Sequence, residues 1–116
     1  MKCIKKITKP WGWELWRAET DKYVGKQLHI EAGHSLSKQY HEIKDETIFV
    51  LCGKLILEIG DGETMERLVL PEGSSYHITP NTIHRFIAPS GGCDLMEVST
   101  PETDDVVRLE DNYGRI

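Results

Sequence analysis

The sequence has 116 residues, which is enough for one domain with its own hydrophobic core and too few for two. Its 19 acidic and 14 basic residues give a formal net charge of -5, and this acidic balance argues against nucleic acid or an anionic membrane as the main partner. Three widely spaced cysteines, none of them in a C-x-x-C pair, are typical of a reducing compartment. Because the sequence also lacks the apolar segment of a secretory signal and any run of transmembrane length, it predicts a cytoplasmic protein.

Short apolar stretches alternate with polar residues along the chain, and turn residues interrupt them. This pattern predicts an all-β barrel or sandwich of roughly eight strands. We expect strands over residues 24–31, 35–41, 46–52, 54–60, 67–70, 75–79, 84–88 and 94–99. The Asp61-Gly62 step marks a hairpin tip, because these residues tolerate positive φ angles. The N-terminal segment 1–20 and the acidic tail 100–116 are predicted to pack on the barrel within a single domain 1–116, the tail adding a helical turn or a closing strand.

Four side chains are candidates for a metal site. Residues i and i+2 of a strand point to the same side, so Gln39 and His41 can address one point, and Glu46 can reach it after one short turn. His84 would join them from a later strand across the barrel. Two imidazole nitrogens and two oxygens suit one divalent ion, with Zn favoured and Mn, Co, Ni or Fe as alternatives. The same spacing is also compatible with polar side chains that only form hydrogen bonds in a wet barrel cavity.

The glycines around these residues follow a known spacing. The stretch from Gly33 to Gly53 resembles the first cupin motif, in which glycine precedes Q-x-H or H-x-H, a glutamate and a closing glycine. The stretch from Gly73 to His84 resembles the second motif, with Pro80 as its proline, although the glycine that usually follows this proline is absent. The resemblance implies the jelly-roll barrel (double-stranded β-helix) of the cupin superfamily, with the four candidate side chains as metal ligands.

Longer stretches resemble the cupin domain that follows a nucleotidyltransferase domain in type II mannose-6-phosphate isomerases. They are KPWGWELW (9–16), LSKQYH (36–41), KDE (44–46) and EVSTPETDDVVRLEDNYGR (97–115). The resemblance implies a metal-dependent aldose–ketose isomerase acting on a small sugar phosphate. Because this sequence lacks the nucleotidyltransferase half, no GDP-sugar synthesis is expected from it.

Isomerisation of a sugar phosphate needs a Lewis acid, a base that moves a proton between C1 and C2, and cations that hold the phosphate. We predict Glu97 as the base, because burial on a barrel-facing strand would raise its pKa, with Lys44 and Lys26 as further catalytic residues. Arg108 and Arg115 are the predicted phosphate-binding residues, since arginine offers phosphate a two-pronged donor. An ordinary ion pair of Glu97 with Lys26 or Arg85, and surface pairs for both arginines, are the structural alternatives.

Two other functions fit the same residues. Two histidines and a carboxylate with open positions are also the arrangement of non-haem metal dioxygenases, and the barrel could serve a non-catalytic cupin that binds a sugar or a nucleotide sugar. Gln39 in place of a third histidine favours the isomerase, and His77 is a reserve ligand. The tryptophans Trp11, Trp13 and Trp16 are expected to seal a barrel end or a subunit interface. By analogy with other small cupins, we expect a homodimer.

Overall fold

The computed structural model describes residues 5–116; Cys3 lies outside this range. Ten β-strands provide the regular structure of the described residues. They are β1 (Lys5–Lys9), β2 (Gly12–Glu19), β3 (Val24–Ile30), β4 (Lys38–Tyr40), β5 (Glu46–Gly60), β6 (Met65–Pro71), β7 (Ser75–Ile78), β8 (Ile83–Ile87), β9 (Cys93–Ser99) and β10 (Val107–Glu110). None of the described residues belongs to a helix long and apolar enough to cross a membrane.

Two antiparallel sheets share the long strand β5. The first sheet has the order β1-β2-β3-β9-β5-β7, and the second has the order β10-β4-β8-β5-β6. The strand changes sheets near Gly53, whose φ is 80° and where an added Cβ would lie 2.6 Å from the carbonyl oxygen of Gly92. Only glycine fits this position without a shift of the backbone. The sequence predicted two strands separated at Gly53, whereas the structure has one bent strand with a bulge between Val50 and Cys52.

The predicted all-β jelly roll is confirmed, with two differences in its elements, and the tail takes one of the two forms predicted for it. The strand expected over residues 35–41 is shorter, because β4 covers Lys38–Tyr40 and Ser35 makes only an isolated bridge to Ile87. The N-terminal segment contributes the hairpin β1–β2, which extends the first sheet through β3. The tail supplies a closing strand, β10, which pairs with β4.

The hydrophobic core lies between the two sheets. Alternate residues of each strand point inward, as the strand period requires, and Leu28, Ile48, Leu57, Phe86 and Leu95 are all at most 2% exposed. The interior becomes polar at one end, where the following charged or ionisable side chains are also buried: Lys26, His41, Lys44, Glu46, His84 and Glu97. Buried ionisable groups are costly unless they are paired or bind an ion, so this end of the barrel is the candidate functional site.

Candidate metal centre

The four predicted ligands come from both sheets, with Gln39 and His84 in the second sheet and Glu46 in the first. Gln39 on β4 is the Cα partner of His84 on β8. His41 follows β4 directly, and Glu46 is the first residue of β5. The atoms Gln39 Nε2 and His41 Nε2 are 3.4 Å apart, so the two side chains lie on one side of the chain as their i, i+2 spacing predicts.

The histidines and the glutamate face one another at short range. His41 Nε2 is 3.3 Å from Glu46 Oε2, and His84 Nε2 is 3.8 Å from Glu46 Oε1. Each residue offers one potential ligand atom, and these atoms all lie within 4.8 Å of one another. The side chains of Glu46 and His84 are 1% and 2% exposed, so bulk water does not separate the three groups.

Backbone carbonyl groups orient both imidazole rings. His41 Nδ1 donates to the carbonyl oxygen of Asp105 at 2.5 Å, and His84 Nδ1 donates to that of Thr82 at 2.9 Å. A neutral imidazole with its proton on Nδ1 carries a free lone pair on Nε2. Both Nε2 atoms therefore present acceptor lone pairs toward Glu46. Burial lowers the pKa of His84 by more than the charge of Glu46 raises it, which keeps this ring neutral.

Buried acceptors without partners show that the group fits a cation. Both carboxylate oxygens of Glu46 and the Nε2 atom of His84 are buried and have no hydrogen-bond partner among the described residues. Such atoms are costly in a protein interior, and one ion among them would satisfy all three. Two imidazoles and a carboxylate form a donor set suited to Zn or another divalent transition metal.

The predicted fourth ligand, Gln39, is oriented differently. Its Oε1 atom accepts a hydrogen bond from Ser37 Oγ at 2.6 Å, and its Nε2 atom faces His41. The amide would have to turn by half a rotation to present its oxygen to an ion. As it stands, the amide can donate to the free lone pair of His41 Nε2.

A buried lysine joins the metal group to the predicted base. Lys44 Nζ is 2.7 Å from Glu97 Oε1 and 3.3 Å from Glu46 Oε2. Burial by itself would lower the pKa of Lys44, but the two carboxylates outweigh it and raise this pKa above its usual value. Burial would raise the pKa of Glu46, yet the charge of Lys44 helps to bring it down to about 2. Glu97 therefore takes part in an ion pair, but its partner is Lys44 rather than Lys26 or Arg85, the two partners expected from the sequence.

Lys26 lies beside Glu97 on the neighbouring strand β3 of the first sheet. It is the Cα partner of both Trp16 and Glu97. Its Nζ atom is 4.1 Å from the centroid of the Trp16 ring and 3.8 Å from Glu14 Oε1. Burial lowers the pKa of Lys26 by more than the charges of Glu97 and Glu14 raise it. The three predicted catalytic side chains, Glu97, Lys44 and Lys26, are thus neighbours.

A cavity of about 440 Å³ opens beside these groups. Gln39, His41 and Glu97 line it, so the metal group reaches this cavity through His41, whereas Glu46 and His84 are not among its lining residues. Four acidic side chains contribute to its wall, as do six cationic ones: Lys5, Lys9, Lys26, Lys44, Arg108 and Arg115. An excess of positive charge favours an anionic ligand.

The two predicted phosphate-binding arginines differ in their partners. The Nε atom of Arg108 is buried and has no hydrogen-bond acceptor among the described residues. Arg115 is instead engaged by Asp111, with Nε and Nη2 donating to its two carboxylate oxygens at 2.9 and 2.8 Å. Both line the cavity, but Arg108 is the one whose donor is still unused.

The remaining residues named from the sequence are dispersed. Trp11 is buried in the core, Trp16 lines the cavity, and Trp13 stacks on the ring of His29 at a centroid distance of 5.1 Å. His77, the reserve ligand, is exposed, and its Nε2 atom pairs with Asp45 Oδ1 at 2.7 Å. Sequence reasoning did not single out Asp105 or the lysines of β1, because their proximity to the site arises from strand pairing alone.

Comparison with known proteins agrees with this architecture. The cupin domain family matches residues 26–99. Mannose-1-phosphate guanylyltransferase ManC of Salmonella typhimurium is 33% identical over 97% of this chain and 23% of its own length. Xanthan biosynthesis protein XanB of Xanthomonas campestris pv. campestris is 31% identical over 96% of this chain and 24% of its own length. The chain therefore spans about a quarter of the length of these curated relatives.

Solved structures show the same fold at lower identity. KdgF from Halomonas sp. superposes with a TM-score of 0.74 at 19% identity, covering 84% of this chain and 86% of its own. Oxalate decarboxylase from Bacillus subtilis gives a TM-score of 0.79 at 12% identity, covering 90% of this chain and 30% of its own. The predicted resemblance is thereby confirmed, and this chain belongs to the cupin domain family.

Proposed function

We propose that this protein is a metal-dependent sugar-phosphate isomerase that interconverts an aldose and a ketose, similar to mannose-6-phosphate isomerase. The observation that carries the proposal is the buried group of His41, Glu46 and His84 beside a cavity with an excess of cationic side chains. The relatives named for mannose-1-phosphate guanylyltransferase and for xanthan biosynthesis support a role in sugar-nucleotide metabolism. Zn is the favoured ion, with Mn, Co, Ni or Fe as alternatives.

The chemistry divides between an ion and the side chains around it. An ion held by the three residues, and by Gln39 after its amide turns, would supply Lewis-acid stabilisation of negative charge on substrate oxygens. The carboxylate of Glu97 would remove the proton from C2 of the open-chain aldose. The C2–H electron pair would form the C1=C2 bond as the carbonyl π electrons move to O1. Return of the proton to C1, with transfer of the O2 proton to O1 as C2=O forms, would give the ketose.

The two lysines beside Glu97 would support this proton transfer. The raised pKa of Lys44 keeps its ammonium group charged, so that it would stabilise the negative charge that develops on the substrate next to Glu97. Lys26 would add a second positive charge from the first sheet. The ring of Trp16 and the carboxylate of Glu14 hold this lysine toward the cavity.

The phosphate would bind at the arginine side of the cavity. Arg108 supports this role because its Nε atom is buried without an acceptor in the part of the chain that the structure describes, and a phosphate oxygen is a strong acceptor for a guanidinium group. Arg115, also predicted to bind phosphate, would first have to leave Asp111. We therefore expect Arg108 to contribute more to the affinity for the phosphate than Arg115.

The test is a coupled assay of mannose 6-phosphate conversion to fructose 6-phosphate, in protein loaded with Zn²⁺, Mn²⁺ or Co²⁺ and in chelated protein. Turnover should be lost with chelator and in His84→Ala, and retained in His77→Ala, because His77 is exposed and paired away from the cavity. Glu97→Gln should lower kcat by about 10²-fold or more, whereas Arg108→Ala should mainly raise KM. Absence of turnover in protein shown to bind these ions would exclude the isomerase.

We also propose that the protein forms a homodimer through the outer face of the first sheet. Phe49, Leu51 and Val98 on the neighbouring strands β5 and β9 are 39%, 38% and 53% exposed. Contact between two copies would remove this apolar surface from water. Light scattering should show a dimer for the wild type and a monomer for Phe49→Ser combined with Val98→Ser; a monomeric wild type would contradict the proposal.

A further inference from the structure

We infer that Asp105 is a positioning residue that holds the metal-ligand loop in its binding geometry from outside the ligand set. The loop comprises residues 41–45 between β4 and β5; it begins with His41, contains Lys44 and ends directly before Glu46. Asp105 belongs to the C-terminal tail, more than sixty positions further along the chain. The inference rests on the proposed metal site, and it does not depend on which reaction the site catalyses.

The carboxylate of Asp105 binds three consecutive amide groups of the loop. Its Oδ1 atom accepts from the backbone N–H of Glu42 at 3.1 Å, and its Oδ2 atom accepts from those of Ile43 at 2.7 Å and Lys44 at 2.9 Å. Consecutive N–H groups that converge in this way form a concave site for an anion. The side chain therefore fixes the backbone conformation of the segment that connects His41 to Glu46.

The backbone carbonyl of Asp105 acts directly on a ligand. It accepts the proton of His41 Nδ1, which sets the tautomer of the ring and directs the Nε2 lone pair toward Glu46. The tail then continues into β10, where Arg108 is the Cα partner of Gln39. One residue thus holds the loop with its side chain and the imidazole with its main chain, so movement of its side chain would displace both contacts.

Asp61 provides a matched control elsewhere in the fold. Its Oδ1 atom accepts from the backbone N–H groups of Glu63 at 2.9 Å and Thr64 at 2.8 Å in the turn between β5 and β6. It has the same chemical role as Asp105, a carboxylate bound to loop amides, but it contacts no predicted ligand. A purely structural role for Asp105 would make the two substitutions behave alike.

The experiment compares Asp105→Ala, Asp105→Asn and Asp61→Ala with the wild type in the full chain. Two quantities are measured: the Zn²⁺ dissociation constant, by competition with a chelator, and the tautomer of His41 in metal-free protein, by long-range ¹H–¹⁵N NMR. Asp105→Ala should weaken Zn²⁺ binding by about 10–100-fold and give a mixture of His41 tautomers. Asp105→Asn should give a Zn²⁺ affinity and a tautomer population between those of the wild type and Asp105→Ala. One side-chain oxygen remains to accept, while the amide NH₂ opposes a loop N–H. Asp61→Ala should change neither quantity.

Unchanged Zn²⁺ affinity and an unchanged His41 tautomer in Asp105→Ala would overturn the inference. If that variant does not fold, Asp105→Asn decides by the same two measurements. If the wild type binds no Zn²⁺, the proposed metal site fails. The tautomer of the metal-free proteins then decides on Asp105 alone, a mixture supporting the inference and the wild-type tautomer overturning it.

Discussion

Replacing Lys44 by methionine removes the ammonium group that lies between two buried carboxylates. Lys44 Nζ is 2.7 Å from Glu97 Oε1 and 3.3 Å from Glu46 Oε2, and the three side chains are 6%, 8% and 1% exposed. At an effective dielectric constant of about 20, these two attractions amount to roughly 6 and 5 kcal/mol. The cost of taking the charges out of water offsets most of this. Removal of one partner from a buried pair costs about 3–5 kcal/mol, and we expect Lys44→Met to lower the free energy of unfolding of the metal-free protein by this amount.

Metal should restore only part of the stability lost in Lys44→Met. An ion among the candidate ligands would give Glu46 a new positive partner, whereas Glu97 would remain an unpaired buried carboxylate. Zn²⁺ should therefore stabilise the variant without returning it to the wild-type value. Adding Glu97→Gln to Lys44→Met should recover a further part, because it removes the second unpaired charge.

Urea unfolding followed by tryptophan fluorescence, with and without Zn²⁺, measures these differences. Lys54→Met is the control, since Lys54 is an exposed residue of β5 and its loss should change the free energy of unfolding by less than about 0.5 kcal/mol. A loss in Lys44→Met no larger than in the control would show that the carboxylates do not depend on this ammonium group. The charge assignment of the site would then be wrong.

Three further predictions concern positions around the barrel. Asn81 has a φ of 63°, so urea unfolding should show no loss of stability in Asn81→Gly and a loss of about 1–3 kcal/mol in Asn81→Val; equal stabilities would contradict this. The hydrogen bonds from Arg115 lower the pKa of Asp111 to about 2, below the value of about 3.9 expected in the unfolded chain. The stability that wild type gains over Asp111→Asn should therefore be complete above about pH 5 and disappear as the pH falls toward 2, and a pH-independent difference would refute it. Burial raises the pKa of the Cys93 thiol to about 12. In folded protein that carries Cys3→Ser, a thiol reagent should therefore modify the exposed Cys52 and spare Cys93. Rapid labelling of Cys93 would contradict this.

Local spacing predicted an all-β barrel or sandwich and four candidate ligands, and the resemblance to the cupin motifs specified the jelly roll. Side chains two apart on a strand share a face, so the proximity of Gln39 and His41 follows from the sequence alone. A glutamate one short turn later, and glycines at the turns, complete the spacing that resembles the first cupin motif. Glu46 and the later His84 were found in this way because each belongs to a motif with fixed internal spacing.

Contacts between distant segments could not be predicted from spacing. Lys44 and Glu97 are 53 positions apart and meet only because the first sheet brings β9 beside β5. The unused donor of Arg108 depends on the register of β10 against β4. At Gly53 the sequence indicated a change of direction, but it could not distinguish a turn from a bend that carries one strand into the second sheet.

The second cupin motif shows how a changed sequence keeps the site intact. Asn81 stands where the usual glycine is missing and adopts the left-handed conformation, which asparagine tolerates better than most residues. Its N–H donates to the carbonyl oxygen of His41 at 2.6 Å, and the carbonyl of Thr82 orients the ring of His84. The two motifs are therefore connected through main-chain hydrogen bonds, and Asp105 fixes the other side of His41. These main-chain hydrogen bonds orient the two histidines without an ion, so a bound ion should add stability to a barrel that is already folded.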